Sequence, residues 1–109
     1  MTFSIKEQDP YQVEERLRQN TAIKLLDIRE PGEHAYVRLE NSILVNNEIA
    51  REIVEEWSRD TEIICYCHHG SRSHQAAWAL AQQGFTNVTN MLGGIEAWAK
   101  LVDQTLARY

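Results

Sequence analysis

The chain has 109 residues, with 11 Lys and Arg against 16 Asp and Glu, a formal net charge of −5 and 2 Cys. A chain of this size suits one domain and is too short for two; it buries somewhat over about 60% of its unfolded surface, so an ordinary core suffices without staples. The acidic balance and the absence of any Lys/Arg run argue against a grip on nucleic acid or an acidic membrane, and no apolar run approaches the ~20 residues of a membrane span.

The opening Met-Thr-Phe-Ser-Ile-Lys-Glu lacks the apolar core of a signal peptide. The two cysteines, at 65 and 67, make no disulfide framework. Both features lead us to expect a cytoplasmic protein with free thiols.

Along the chain, short apolar β-type runs alternate with helical patterns, which predicts an α/β domain with a parallel sheet. Phe3 to Ile5 is a candidate first strand. Asp9-Pro10 starts a helix: Asp caps, Pro takes the first turn and Gln12 completes a capping box. Val13 and Leu17 share its apolar face, and it should end near Asn20. Lys24 to Ile28 reads as a buried strand, followed by Pro31-Gly32 and a helical stretch from Glu33 to Tyr36. Ser42 to Val45 is the next strand, and Ile49, Ile53, Val54 and Trp57 carry a helical period. Glu62 to Tyr66 is the clearest strand; it runs into Cys67-His68-His69-Gly70-Ser71-Arg72 and a helix from about Ser73 to Gln83, stopped by Gly84. Asn87 to Met91 is the last strand, and Gly93-Gly94 turns into a helix carrying Ile95, Trp98, Leu101 and Val102.

Cys67 is the strongest chemical signal, because it stands at the C-terminal end of a buried strand, before a polar turn and a helix. Ligands of parallel sheets bind beyond such strand ends. The start of a helix and the free amides of a tight turn favour negative charge there and lower a thiol pKa, so that Cys67 becomes a nucleophile at neutral pH. Gly70 allows the turn, and Arg72 adds a permanent charge with a planar donor fork. The alternative is a buried core cysteine, but the polar neighbours His68, His69, Gly70, Ser71, Arg72 and Ser73 argue against it. Cys65 alternates with Ile64 and Tyr66 within the strand, which predicts core packing; a resolving thiol is its other possible role. Cys65, Cys67, His68 and His69 crowd four potential metal ligands together, yet adjacent residues diverge and no second ligand pair has metal spacing, so we expect neither metal nor cofactor. His34 and His74 stand in no pattern and are expected to be surface or packing residues.

Four stretches, in order, resemble the rhodanese family of sulfurtransferases: Leu26-Asp27-Ile28-Arg29-Glu30-Pro31-Gly32-Glu33, Tyr66-Cys67-His68-His69-Gly70-Ser71-Arg72-Ser73, Gln83-Gly84-Phe85-Thr86-Asn87-Val88 and Leu92-Gly93-Gly94-Ile95-Glu96-Ala97-Trp98. The resemblance runs from about Phe3 onward. It implies one rhodanese domain, a parallel sheet of about five strands with helices on both faces and Cys67 as the catalytic cysteine. The implied reaction is a double displacement. The thiolate takes the outer sulfur of a donor such as thiosulfate or a protein persulfide, then passes it to cyanide, a thiol or a sulfur carrier. The amides of His68 to Ser73 would stabilise the persulfide, Arg72 would close the loop and steer an anionic donor, and Asp27 and Arg29 would brace the active-site side of the sheet. Val37-Arg38-Leu39-Glu40-Asn41-Ser42 departs from the common Gly-His-Ile-x-Gly-Ala and resembles a subgroup attached to activating enzymes of sulfur relays.

Two other classes compete. Phosphatases and arsenate reductases of the same fold resemble Cys-x5-Arg, whereas four residues separate Cys67 from Arg72. A non-catalytic binding module would keep the fold and lose the cysteine, which is present.

Overall fold

A computed structural model describes residues 3–109. The elements alternate: β1 (Lys6–Gln8), α1 (Pro10–Gln19), β2 (Lys24–Asp27), α2 (Pro31–Tyr36), β3 (Ile43–Leu44), α3 (Asn47–Glu56), β4 (Ile63–Tyr66), α4 (Ser71–Gln82), β5 (Val88–Met91) and α5 (Gly94–Leu101). The five strands form one parallel sheet in the order β1-β5-β4-β2-β3. The most apolar strand, β4, lies at its centre with every residue buried. Alternation along it feeds two cores. Ile64 and Tyr66 pack with Val13 of α1 and Ile95 of α5 on one face, while Ile63 and Cys65 pack with Ile53 of α3 and Ala77 of α4 on the other. Helices therefore cover both faces.

Local signals set the helix ends. Asp9 Oδ1 accepts the Gln12 amide (2.9 Å) and the Asp9 amide donates to Gln12 Oε1 (3.0 Å), the reciprocal capping box expected from the sequence. Asn46 caps α3 by accepting from the Ile49 amide (2.8 Å). Gly84 stops α4 at φ +98°. Asn41, where the common family pattern has glycine, takes φ +64°, the left-handed conformation that Asn tolerates better than most side chains.

Three expectations shift. The second helix begins at Pro31 rather than Glu33, with the proline in its first turn. The first strand is not Phe3–Ile5 but Lys6–Gln8, which pairs with Thr89–Met91. It is an edge strand held by main-chain bonds to one neighbour, so its mostly exposed Lys6, Glu7 and Gln8 carry no apolar signal. The helix after Cys67 begins at Ser71 rather than Ser73, because Gly70, at φ +110°, completes the turn in fewer residues. No helix among the described residues is long and apolar enough to cross a membrane.

Candidate active site

Strand β4 ends at Tyr66, and Cys67 lies between the carboxyl end of the central strand and the first turn of α4. Its sulfur accepts the Gly70 amide at 3.1 Å and the Ser73 amide at 3.4 Å, with Ser73 Oγ at 3.3 Å. Cys67 is 1% exposed. Burial alone would raise its pKa, but the Ser73 hydroxyl and the amides of Ser73, Gly70 and Arg72 outweigh it and hold the thiol below its ordinary value. The early start of α4 produces this geometry, because it brings the Ser73 amide to the sulfur as an unpaired donor of the first turn.

Ser73 Oγ also lies 2.6 Å from Asn90 Oδ1 and 3.2 Å from the Gly70 carbonyl, to which Asn90 Nδ2 donates (3.2 Å). A hydroxyl carries one hydrogen, so Asn90 and the thiolate compete for it. The turn is fastened from the other side by α5: the amides of Ile95 and Glu96 donate to the carbonyls of Cys67 (2.9 Å) and His68 (3.1 Å).

Cys65 is fully buried on the opposite side of the strand pleat from Tyr66, and burial, with Cys67 nearby, pushes its thiol up to about 12. It is a protonated packing group at neutral pH. His69 is exposed, and its ring centroid lies 3.9 Å from that of His68, which stacks at 4.0 Å and 10° on Tyr109. Burial and the adjacent His69 hold His68 below the usual imidazole range, and its Nε2 is buried without a hydrogen-bond partner. Among the described residues, no group of three or more His, Cys, Asp or Glu side chains could hold a metal ion.

Asp27 and Arg29 are completely buried as side chains and form a two-pronged pair, Arg29 Nη2 to Asp27 Oδ2 at 2.7 Å and Nε to Oδ1 at 2.9 Å. Arg29 also donates to the Val37 carbonyl (2.6 Å), while His34 Nδ1 (2.8 Å) and the Tyr66 hydroxyl (3.1 Å) reach Asp27 Oδ2. Despite burial, which opposes the charge, Arg29 and His34 hold Asp27 below the carboxylate range. The pair thus ties the end of β2 to the residue preceding Cys67. From Arg29 the chain of contacts continues outward. Arg29 Nη1 donates to the Tyr109 hydroxyl (2.9 Å), Tyr109 donates to Glu33 Oε2 (2.7 Å), and Glu33 takes both prongs of Arg72 (2.8 and 3.1 Å).

The rhodanese-like domain profile matches residues 9–101. The chain belongs to the rhodanese-like family. This rhodanese-like chain is 33% identical to a sulfurtransferase of Allochromatium vinosum over 88% of its own length and 90% of that protein. It is also 33% identical to the thiosulfate sulfurtransferase GlpE of Haemophilus influenzae, over 90% and 91% of the two chains. Among solved structures it resembles a rhodanese-related protein of Thermoplasma volcanium, with TM-score 0.68, 31% identity and coverage of 87% and 91%. A Staphylococcus aureus rhodanese-like domain protein shares the fold at TM-score 0.76 and 20% identity, over 96% and 99%.

Of the residues expected from the sequence, the structure brings together those contiguous in the chain: Cys67, Gly70, Ser73 and the turn between them. Arg72 belongs to its rim, but its fork is filled by Glu33. Asn90, His34 and Tyr109 carried no signal as site residues, and Glu33 lay unremarked inside the first matching stretch.

Proposed function

We propose that the protein is a sulfurtransferase that carries sulfur as a Cys67 persulfide. The observation that carries this reading is the Cys67 sulfur, held by the amides of Gly70 and Ser73 at the start of α4. Those donors favour the thiolate, which attacks the outer sulfur of a donor. A new S–S bond forms on Cys67, the donor's own bond to that sulfur breaks, and the electron pair leaves with sulfite or a thiolate. The same donors then face the terminal sulfur of the persulfide. An acceptor thiolate or cyanide takes that sulfur and returns Cys67 as thiolate.

Donors of this chemistry are a small sulfur anion such as thiosulfate or a persulfide-bearing protein; acceptors are a thiol, a sulfur carrier or cyanide. A reducing cytoplasm suits the two free thiols. Four residues between Cys67 and Arg72 leave a cradle better matched to a sulfane sulfur than to a phosphate ester.

Intact-mass measurement after exposure to several sulfur donors tests the reading. The wild type should gain the mass of one sulfur, Cys65→Ser should keep that gain and Cys67→Ser should lose it. Loss in Cys65→Ser instead, or turnover of a phosphate ester without sulfur uptake, would overturn it.

A further inference from the structure

Arg72 is the one cation of the Cys67 turn, and its donor fork is filled. Both its terminal nitrogens bond to the Glu33 carboxylate, at 2.8 and 3.1 Å. Glu33 is itself fastened from two other sides, by the Tyr109 hydroxyl at 2.7 Å and the Glu30 amide at 2.9 Å. Tyr109 is held by Arg29, which is anchored in the buried pair with Asp27. The carboxylate is therefore a fixed charge and cannot swing away without abandoning several hydrogen bonds. Its pKa, held down to about 2 chiefly by Arg72, keeps it ionised at neutral pH. At the rim of the thiolate, the positive charge of Arg72 is offset by a built-in anion.

We propose that Glu33 selects the sulfur donor, setting the site against doubly charged donors and in favour of the persulfide of a thiol. This rests on the reading of Cys67 as the sulfur acceptor. Thiosulfate brings two negative charges to a thiolate, so three gather as the new S–S bond forms and sulfite departs with the electron pair of the old one. A protonated persulfide brings none; the Cys67 thiolate takes its outer sulfur and a thiolate leaves. An unpaired Arg72 would ease the first reaction far more than the second. Glu33 removes that advantage, and a donor anion must either displace it from the fork or react beside a carboxylate.

The test compares wild type with Glu33→Gln, which keeps the side-chain shape, and Glu33→Ala, which needs no hydrogen-bond partner. Sulfur uptake is followed by intact mass with thiosulfate and with the persulfide of an uncharged thiol, N-acetylcysteamine. Cys67 alkylation is followed in parallel with anionic iodoacetate and neutral iodoacetamide. Removing one charge beside a dianion at a partly exposed site should raise the thiosulfate-to-persulfide rate ratio about tenfold, and the iodoacetate-to-iodoacetamide ratio about threefold. A merely structural role would move both members of each pair together. Unchanged ratios in both variants overturn the proposal. If the wild type takes up sulfur from neither donor, the Cys67 reading fails instead, and the alkylation ratios still decide the role of Glu33.

Discussion

Replacing Gly94 by alanine would strike the Cys67 turn from behind. Gly94 opens α5 at φ +62°, and a Cβ there would lie 2.5 Å from the Cys67 carbonyl oxygen and 2.5 Å from the His68 carbonyl carbon, with the His68 oxygen closer still. Real Cβ atoms essentially never approach within 3.0 Å. The turn and the start of α5 would therefore have to part by more than about half an ångström. The obstructing atoms are backbone, so no side-chain rotation relieves them. Parting them strains the bonds from the Ile95 and Glu96 amides to the same carbonyls. Overpacking costs about 1–3 kcal/mol, a left-handed conformation for an L-residue about 1–2, and each weakened hydrogen bond up to about 1. Because one movement relieves several of these at once, we expect about 3–5 kcal/mol in total. At this chain length that is a fall in Tm of roughly 13–22 °C. Urea and thermal unfolding measure it, with Gly32→Ala as the control. Gly32 lies in the first turn of α2 with nothing within 4 Å of an added Cβ, so its replacement should stay within about 0.5 kcal/mol of wild type. The Cys67 alkylation rate should fall in Gly94→Ala and hold in Gly32→Ala. A Gly94→Ala protein as stable as Gly32→Ala, with an unaltered thiol, would refute the claim that close backbone contact positions the turn.

Three further outcomes are expected. Ser73→Ala removes a donor to the Cys67 sulfur and should slow alkylation by iodoacetamide at pH 7 about threefold to tenfold, moving the reactivity profile toward higher pH. Asp27→Asn leaves Arg29 charged and buried without its partner and should cost about 3–5 kcal/mol in urea denaturation. Glu33 has a folded pKa of about 2 against an ordinary value of 4.5, so its ion pair stabilises the fold fully above about pH 4.5 and progressively less as pH falls toward 2. With both partners partly exposed, wild type should exceed Glu33→Gln by about 1 kcal/mol at pH 7, and denaturation midpoints at pH 6, 4 and 3 should show that margin shrinking.

Much of the architecture was legible because its determinants are local or compositional. The Asp9–Gln12 capping box spans one turn, Gly84 ends α4 by its own backbone freedom, and the apolar β4 is readable as a buried strand. Strand β1 was misplaced for the opposite reason: Lys6–Gln8 is strand because β5 runs beside it, a fact absent from its own residue types. The same division runs through the site. Gly70 and Ser73 follow Cys67 within six residues and were legible as its turn. Asn90 lies 17 positions from the Ser73 hydroxyl it engages, and Tyr109 lies 76 from Glu33; no spacing rule connects such residues. His34 looked patternless because its partner, Asp27, sits on a neighbouring strand end, reached only when α2 folds across it.

The sequence by itself determined the thiol. A strand end, a glycine turn and a helix start are consecutive pieces of chain, and together they aim amides at Cys67, in a turn that α5 then fastens from behind. Tertiary structure decided the charge at the rim of the Cys67 turn. Arg72, read alone, is an unopposed cation beside a nucleophile; folding sets Glu33 of α2 into its fork and secures it through Tyr109 to the buried Arg29–Asp27 pair. Electrostatic interaction depends on distance in space, and the distances that neutralise Arg72 are set only when segments far apart in the chain pack against the same end of the sheet.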